Sequence, residues 1–296
     1  MAELLVLGAA LSWAVSIVVL RSLTARHGAL PITAVRAIAP AVAFALIVTV
    51  GGRWGEAVSM PLVNLLAILA AVVVGIGGGE VLLVRAVPRV GVSRAYALAS
   101  TYPLFTALIA VTVLGETLTV MDGVGGVLIV GAGLLLAIEP AARSGAAAPG
   151  PWRLRTSVGA VLALLASVLF AIDLNALRLA LEGLPPEIVN AVRMPLAALA
   201  LNVAALASSG RWAPVSLGRR DSLIALASGL VALTVGGYMF LSGIQVVGAA
   251  RGGALTAMAP VFVLLLSSVT LRERPGRYAI VGVLVSAVGV ALLTIG

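Results

Sequence analysis

The sequence has no cysteine and no lysine, a single histidine, and charged residues make up only 10% of it. Without cysteine, disulfide frameworks, thiolate metal sites and cysteine nucleophiles are excluded. The zinc pattern His-Glu-x-x-His is absent, as are a Walker motif for ATP and a nucleophile elbow. We therefore expect no metal, no cofactor and no enzymatic activity.

Apolar residues dominate instead. The chain is 61% hydrophobic with a mean hydropathy of +1.19, which leaves too little polar surface for a soluble globule. Runs close to the roughly 20 residues that cross a bilayer predict an all-α integral membrane protein with ten transmembrane helices. They cover approximately residues 4 to 20, 31 to 50, 62 to 86, 92 to 114, 119 to 138, 156 to 180, 186 to 207, 221 to 244, 248 to 271 and 277 to 295.

The chain also repeats itself at an offset of 157 residues, with five apolar runs in each copy. The repeated residues include Ala34-Val35-Arg36 with Ala191-Val192-Arg193, Pro103 with Pro260, Gly91 with Gly248, and Glu116 with Glu273. Because five crossings end on the opposite side of the membrane, the second copy must be inverted, as in secondary transporters. We predict one repeat at 1–138, a linker at 139–155 and the inverted repeat at 156–296.

Arginine placement predicts an orientation. The net charge of +8 lies in short loops rather than in a patch with interleaved aromatics, so we expect no nucleic-acid partner. The loops after the odd-numbered runs hold Arg21, Arg26, Arg85, Arg89, Arg94, Arg143, Arg153, Arg155, Arg211, Arg219, Arg220, Arg272, Arg274 and Arg277, and the other loops hold Arg53, Arg178 and Arg251. The positive-inside rule then predicts cytoplasmic odd loops and both termini outside.

The order and duplication of these features resemble the drug/metabolite transporter superfamily, and within it the EamA-type group. The residues that carry the resemblance are Trp13 with Phe170, Arg36 with Arg193, Pro103 with Pro260, and Gly115-Glu116 with Arg272-Glu273. The resemblance covers essentially the whole chain. It implies a ten-helix bundle with a central cavity lined by helices 1 to 4 and 6 to 9. It also implies export of amino acids or other metabolites. Finally, it implies that both termini are cytoplasmic, whereas the arginine count predicts that they lie outside.

Four ionisable residues stand out because they lie at depth, roughly 6 to 9 Å from the middle of their helices, where a charge costs about 2.5 to 3.5 kcal/mol and is a functional candidate by default. They are Arg36, Glu80, Asp173 and Arg193. The predicted helices direct Arg36 and Glu80 toward one face of the membrane, and Asp173 and Arg193 toward the other. Two acid–arginine pairs are therefore predicted. The alternatives are that the pairs are structural or that the arginines extend to lipid headgroups.

Aromatic and amide residues form a second group of candidates for lining a solute cavity. They are Trp13, Tyr96, Tyr102, Phe170, Asn175 and Tyr238. Most polar side chains in a helical membrane bundle bond across helices, so a structural role is the alternative for each. Trp13 is the strongest candidate because it lies near the centre of a helix rather than in the interfacial belt, and because its repeat mate is also aromatic.

Three further features have mainly structural interpretations. The glycines at 75 and 77–79 permit either close helix packing, which we favour, or a local unwinding. We expect Glu116 to fix the end of its helix and His27 to be a solvated loop residue. Thr119 and Asp122 have the spacing of a capping box.

The sequence thus predicts a secondary active transporter that exports a small metabolite, such as an amino acid, across the inner cell membrane by alternating access. We expect a monomer in the lipid bilayer, with protons as a candidate coupling ion. A lipid-modifying enzyme would need acids, bases or metal ligands at a shared depth, and the carboxylates here are scattered. A passive channel would favour rings of like charge or backbone filters. Both stay open as alternatives.

Overall fold

The computed structural model describes residues 1–24, 26–90, 95, 98–138, 154–270 and 277–295, and within them all regular structure is helical. In lipid a helix satisfies its own backbone groups, which is why long apolar runs adopt it. The helices that are long and apolar enough to cross a membrane are Ala2–Leu20, Ala29–Val50, Leu62–Leu83, Val158–Ala180, Pro186–Ser209 and Arg219–Thr256. Shorter apolar helices are Tyr102–Thr112, Val120–Leu135 and Ile280–Ile295.

In chain order the helices are α1 (Ala2–Thr24), α2 (Ala29–Val50), α3 (Trp54–Val58), α4 (Leu62–Ala70), α5 (Glu80–Val90), α6 (Tyr102–Thr112), α7 (Val120–Ile138), α8 (Leu154–Ala180), α9 (Pro186–Ser209), α10 (Ala213–Leu217), α11 (Arg219–Gly229), α12 (Gly236–Thr256), α13 (Ala259–Thr270) and α14 (Arg277–Ile295). Two π-helical segments, Ala71–Gly79 and Leu230–Val235, join α4 to α5 and α11 to α12. The short helices α3 and α10 were not predicted from the sequence.

The chain forms two compact units. The first unit consists of Met1–Val72 and Ala176–Val246, and the second of Val73–Asn175 and Val247–Gly296. Each unit draws on both halves of the sequence. The division into two sequence repeats stays a prediction.

Helix α2 is central to the first unit, where it packs against α9 and α11. The Asn202 side chain on α9 donates its Nδ2 hydrogens to the carbonyl oxygens of Ala34 (3.0 Å) and Ala198 (2.9 Å). On the α11 side, a Cβ added to Gly229 would overlap with the carbonyl oxygen of Arg36. Glycine is therefore required there for the two backbones to touch, as is common between membrane helices.

The second unit contains a reciprocal glycine contact between α7 and α14. A Cβ on Gly125 would lie 2.7 Å from the carbonyl oxygen of Gly289, and a Cβ on Gly289 would lie 2.8 Å from that of Gly125. Small residues on both helices let their backbones approach closely. Van der Waals packing then stabilises the pair, because no hydrophobic effect drives helices together within lipid.

Two predicted runs, 92–114 and 248–271, are not continuous helices. Turns at Ser100–Thr101 and at Ala257–Met258 interrupt them, and α6 and α13 begin directly afterwards. Pro103 and Pro260 each lie at the second position of the new helix, where the missing N–H of proline needs no partner. The break predicted between the runs 221–244 and 248–271 is a kink and not a loop. It lies at Gly248 inside α12, where φ is 84° and ψ is 171°.

Candidate functional site

The candidate residues divide between the two units. Trp13, Arg36, Arg193 and Tyr238 belong to the first unit, and Glu80, Tyr102, Phe170, Asp173 and Asn175 belong to the second. Tyr96 lies outside the described residues. Both predicted acid–arginine pairs combine one residue from each unit, so the pairing of Arg36 with Glu80 and of Asp173 with Arg193 stays a prediction.

Trp13 is held in a defined orientation within the first unit. Its Nε1–H donates to the carbonyl oxygen of Ala232 in the second π segment at 2.9 Å. The indole also meets the Phe240 ring edge to face, with centroids 5.2 Å apart and planes at 60°. A Cβ on Gly236 would lie 3.3 Å from the indole nitrogen, so the ring packs directly on the start of α12. The donor is satisfied, as expected for an indole away from water.

Arg36 joins a small hydroxyl network in the same unit. Its Nη2 donates to Ser16 Oγ at 2.9 Å, and Ser16 Oγ lies 2.6 Å from Ser228 Oγ. Both serines are almost fully buried, with 1% and 4% exposure. The network links α1, α2 and α11 and gives the guanidinium polar surroundings inside apolar helices. Tyr238 is different, because it is 45% exposed on the unit's surface.

Asp173 and Phe170 lie against the glycine-rich π segment in the second unit. A Cβ on Gly75 would lie 2.6 Å from Cγ of Asp173, and one on Gly79 would lie 2.6 Å from Cε1 of Phe170. The glycines therefore permit the close packing favoured from the sequence. The segment also has π-helical geometry, which is a local unwinding. Close packing and local unwinding, the two alternatives for these glycines, therefore occur together. Glu80, the first residue of α5, is exposed.

Tyr102 and Asn175 are also in the second unit, and both bond to backbone or hydroxyl groups of other helices. The Tyr102 hydroxyl hydrogen-bonds to Thr256 Oγ1, which itself donates to the carbonyl oxygen of Gly253 at 2.8 Å. The Asn175 amide donates to the carbonyl oxygens of Ala171 (2.8 Å) and Thr106 (3.3 Å). Its Oδ1 is buried and accepts no hydrogen bond in the described part of the chain. That oxygen is an available acceptor.

Glu116 fixes a helix end, but the end belongs to another helix. Its Oε1 accepts the backbone N–H of Ala249 at 2.7 Å and its Oε2 accepts that of Ala250 at 3.1 Å. These amides follow the kink at Gly248, where a Cβ would lie 2.8 Å from the carboxylate. The carboxylate therefore caps the second part of α12, and the orphan amides left by the kink are satisfied.

Asp122 and Arg251 form an ion pair that the sequence analysis missed. The Arg251 Nε lies 2.6 Å from Asp122 Oδ1, and its Nη2 donates to Oδ2 at 3.0 Å. The capping box is confirmed, because Asp122 accepts the N–H of Thr119 at 2.8 Å while the Thr119 hydroxyl accepts the N–H of Asp122 at 3.2 Å. A cavity of about 140 Å³ lies beside the pair. Arg251 was missed because it lies at the start of the run 248–271 and was counted with the loop residues.

Ionic clusters also occur near the ends of helices in the first unit. His27 is not simply solvated: its Nε2 lies 2.8 Å from Asp221 Oδ2, which Arg26 also contacts at 3.0 Å. Between α2 and α3, Arg53 contacts Glu56 at 2.6 Å and Glu187 at 2.5 Å. The hydrogen bonds from Arg53 hold the pKa of the Glu56 carboxyl below its usual value. Among the described residues no group of three His, Asp or Glu side chains could hold a metal ion.

Comparison with known proteins adds a family. The model of the EamA-like transporter family matches residues 1–138 and 157–295. No curated protein matches the sequence. A solved structure described only as "Crystal structure of protein" is 20% identical, with 99% of this chain and 96% of that chain covered and a TM-score of 0.81. At that identity the likeness concerns the fold alone.

Proposed function

Because the chain belongs to the EamA-like transporter family of the drug/metabolite transporter superfamily, we propose that this multi-pass membrane protein is a secondary active transporter that exports a small metabolite, such as an amino acid, by alternating access. The proposal includes ten membrane-spanning helices arranged as two inverted repeats, a monomer, and location in the inner cell membrane. Membership of this family supports transport.

The observation that carries the mechanism is where the chain passes between the two units. It does so after Val72, after Asn175 and after Val246, each time inside a helix or a π segment. The first passage lies within the π segment Ala71–Gly79, and the third lies directly before the kink at Gly248. Such irregularities are the usual causes of helix bending. Alternating access moves one part of a transporter against another, and bending at these segments would permit such a movement.

The charged candidates suit a solute that carries both signs of charge. Arg36 and Arg193 can bind a carboxylate, while Asp173 and Glu80 can bind an ammonium group. The buried Oδ1 of Asn175 offers a further acceptor for such an ammonium. An amino acid has both groups, which is why we favour this class of solute. A carboxylate in an apolar helix is also a candidate proton carrier, so proton coupling is part of the proposal.

Removal of either acidic charge is expected to impair net transport. If Glu80 and Asp173 stabilise opposite closed faces, Glu80→Gln and Asp173→Asn should shift the outward-open and inward-open populations in opposite directions. The measurement is labelling of a single introduced cysteine, at Phe170 or Tyr238, by an impermeant maleimide added from either side. The native chain contains no cysteine that must first be removed.

Glu182→Gln is the matched control, because Glu182 is an exposed carboxylate in the turn after α8. It should change neither transport nor labelling. If Glu80→Gln and Asp173→Asn also change neither, the charges are structural, and the solute site must be sought among the aromatic and amide residues.

A further inference from the structure

A groove runs along the outside of the first unit between α2, α9 and α10. Its volume is about 400 Å³, and we call it the α9–α10 groove. It is lined by Ile38, Ala198, Leu199, Asn202, Trp212, Pro214 and Val215. At about 1.5 Å per residue, the distance from the end of α9 at Ser209 back to Asn202 is about 10 Å. The groove therefore runs from the helix end well into the apolar part of α9.

The rim of this groove is apolar and open. Leu199 is 62% exposed, Trp212 is 52% exposed and Val215 is 72% exposed. In a membrane protein such surface faces lipid, and an open apolar groove along a helix can accept an acyl chain. Trp212 follows the end of α9, which is the level at which tryptophan is enriched at the membrane interface.

Three arginines lie next to the groove residues in the chain, because Arg211 precedes Trp212, and Arg219 and Arg220 begin α11 directly after α10. Arg211, Arg219 and Arg220 are exposed, and within the described residues their side chains form no hydrogen bond or ion pair. The neighbouring acid Asp221 is already occupied by Arg26 and His27. The charge in this region is therefore positive, and these three guanidinium groups are available to bind an anion.

Local bonds hold the start of α11, which carries Arg219 and Arg220, against α10. Gly218, with φ 77°, turns the chain between α10 and α11. Ser222 then donates its hydroxyl to the carbonyl oxygen of Pro214 at 3.1 Å, so the first turn of α11 is tied to α10. Since Pro214 lines the groove, the polar end and the apolar channel belong to one surface.

From this combination we propose that the α9–α10 groove binds an anionic phospholipid. One acyl chain lies along Leu199 and Val215, the phosphate lies among Arg211, Arg219 and Arg220, and Trp212 lies at the level of the glycerol. Basic residues at the end of a membrane helix attract anionic lipids. A second copy of the chain would bring like charges together, and a soluble anion would leave the apolar channel empty. The proposal is independent of the transported solute.

The test reconstitutes the protein in vesicles of equimolar phosphatidylglycerol and phosphatidylcholine, extracts it gently, and measures by native mass spectrometry the ratio of the two lipids retained. The wild type should retain phosphatidylglycerol preferentially. Arg219→Gln/Arg220→Gln should lower the ratio by about 5-fold for each arginine, from the usual attraction of one basic residue to an anionic membrane surface. Arg85→Gln/Arg89→Gln removes the same charge from exposed positions elsewhere and should leave the ratio unchanged.

A second variant tests the apolar channel. Val215→Trp fills the groove from its exposed side while retaining all three arginines, and should also reduce retained phosphatidylglycerol. Soluble glycerol 3-phosphate should not displace the lipid. An unchanged ratio in the Arg219/Arg220 variant, or an equal fall in the Arg85/Arg89 control, would overturn the proposal. Displacement by glycerol 3-phosphate, or no effect of Val215→Trp, would show a headgroup site without the groove and would equally refute it.

Discussion

Gly229→Ala is expected to lower the free energy of unfolding by about 3 kcal/mol or more. The added Cβ would overlap with the backbone carbonyl of Arg36, and a backbone atom cannot move aside as a flexible side chain can. Helices α2 and α11 would have to separate, which places the change at the upper end of the usual range for overpacking. The Ser16–Ser228 contact beside it would be disturbed as well. Unfolding by a denaturing detergent, followed by circular dichroism, measures the effect.

Gly237→Ala provides the matched control in the same unit. A Cβ at Gly237 meets no atom within 4 Å, so the substitution should change stability by less than about 1 kcal/mol, in the direction of the higher helix propensity of alanine. Should both variants unfold alike, the close approach of α2 and α11 is not a determinant of stability.

Glu116→Ala is expected to destabilise the protein by about 2 to 6 kcal/mol. The carboxylate accepts two backbone N–H groups at the kink, and Ala249 and Ala250 are 0% and 4% exposed. Each buried donor left without an acceptor costs about 1 to 3 kcal/mol. Glu116→Gln keeps one acceptor oxygen and should cost roughly half as much.

Two measurements separate this effect from a general loss of charge. Hydrogen exchange should accelerate at the amides of Ala249 and Ala250 in Glu116→Ala, ahead of the rest of the unit. Glu182→Ala removes an exposed carboxylate and should change neither stability nor exchange. Unchanged protection at residues 249 and 250 in Glu116→Ala would mean that the cap does not hold the kink.

The sequence predicted the local features of the fold well, because they depend on residues that are close together in the chain. Apolar length predicted most of the long helices, although the runs 92–114 and 248–271 are interrupted by turns. The spacing of Thr119 and Asp122 predicted a cap, and the glycines before Glu80 predicted close packing. The sequence could not predict that the close packing would coincide with π geometry, because that depends on how α8 fits against the segment.

Features that join distant parts of the chain were missed or misassigned. His27 was expected to be solvated, but its partner Asp221 lies 194 residues away. Glu116 was expected to fix the end of its own helix, but the part of α12 that it caps begins 133 residues later, at Ala249. The Arg251–Asp122 pair spans 129 residues. No local pattern encodes such contacts, although the break predicted between the runs 221–244 and 248–271 coincides with the kink at Gly248.

The aromatic and charged candidates were identified from their residue type and from their depth in the predicted membrane helices. Neither property predicts which residues they contact. Trp13 was singled out for its central position, yet its indole bonds to Ala232 within the first unit. This hydrogen bond fixes the orientation of the ring within that unit.

Solute counterflow tests the central claim, that the protein is a carrier and not a channel or an enzyme, most directly. A thermal-shift screen of amino acids, nucleosides, sugar phosphates and organic cations first supplies the probe, since a ligand that binds only the folded state raises its stability. Proteoliposomes loaded with that unlabelled solute are then diluted into the labelled solute. We predict that uptake is saturable and is faster into loaded than into empty vesicles. We also predict that the solute recovered from the vesicles is chemically unchanged. Flux that rises linearly with concentration and is indifferent to loading, or recovery of a modified solute, would contradict the account.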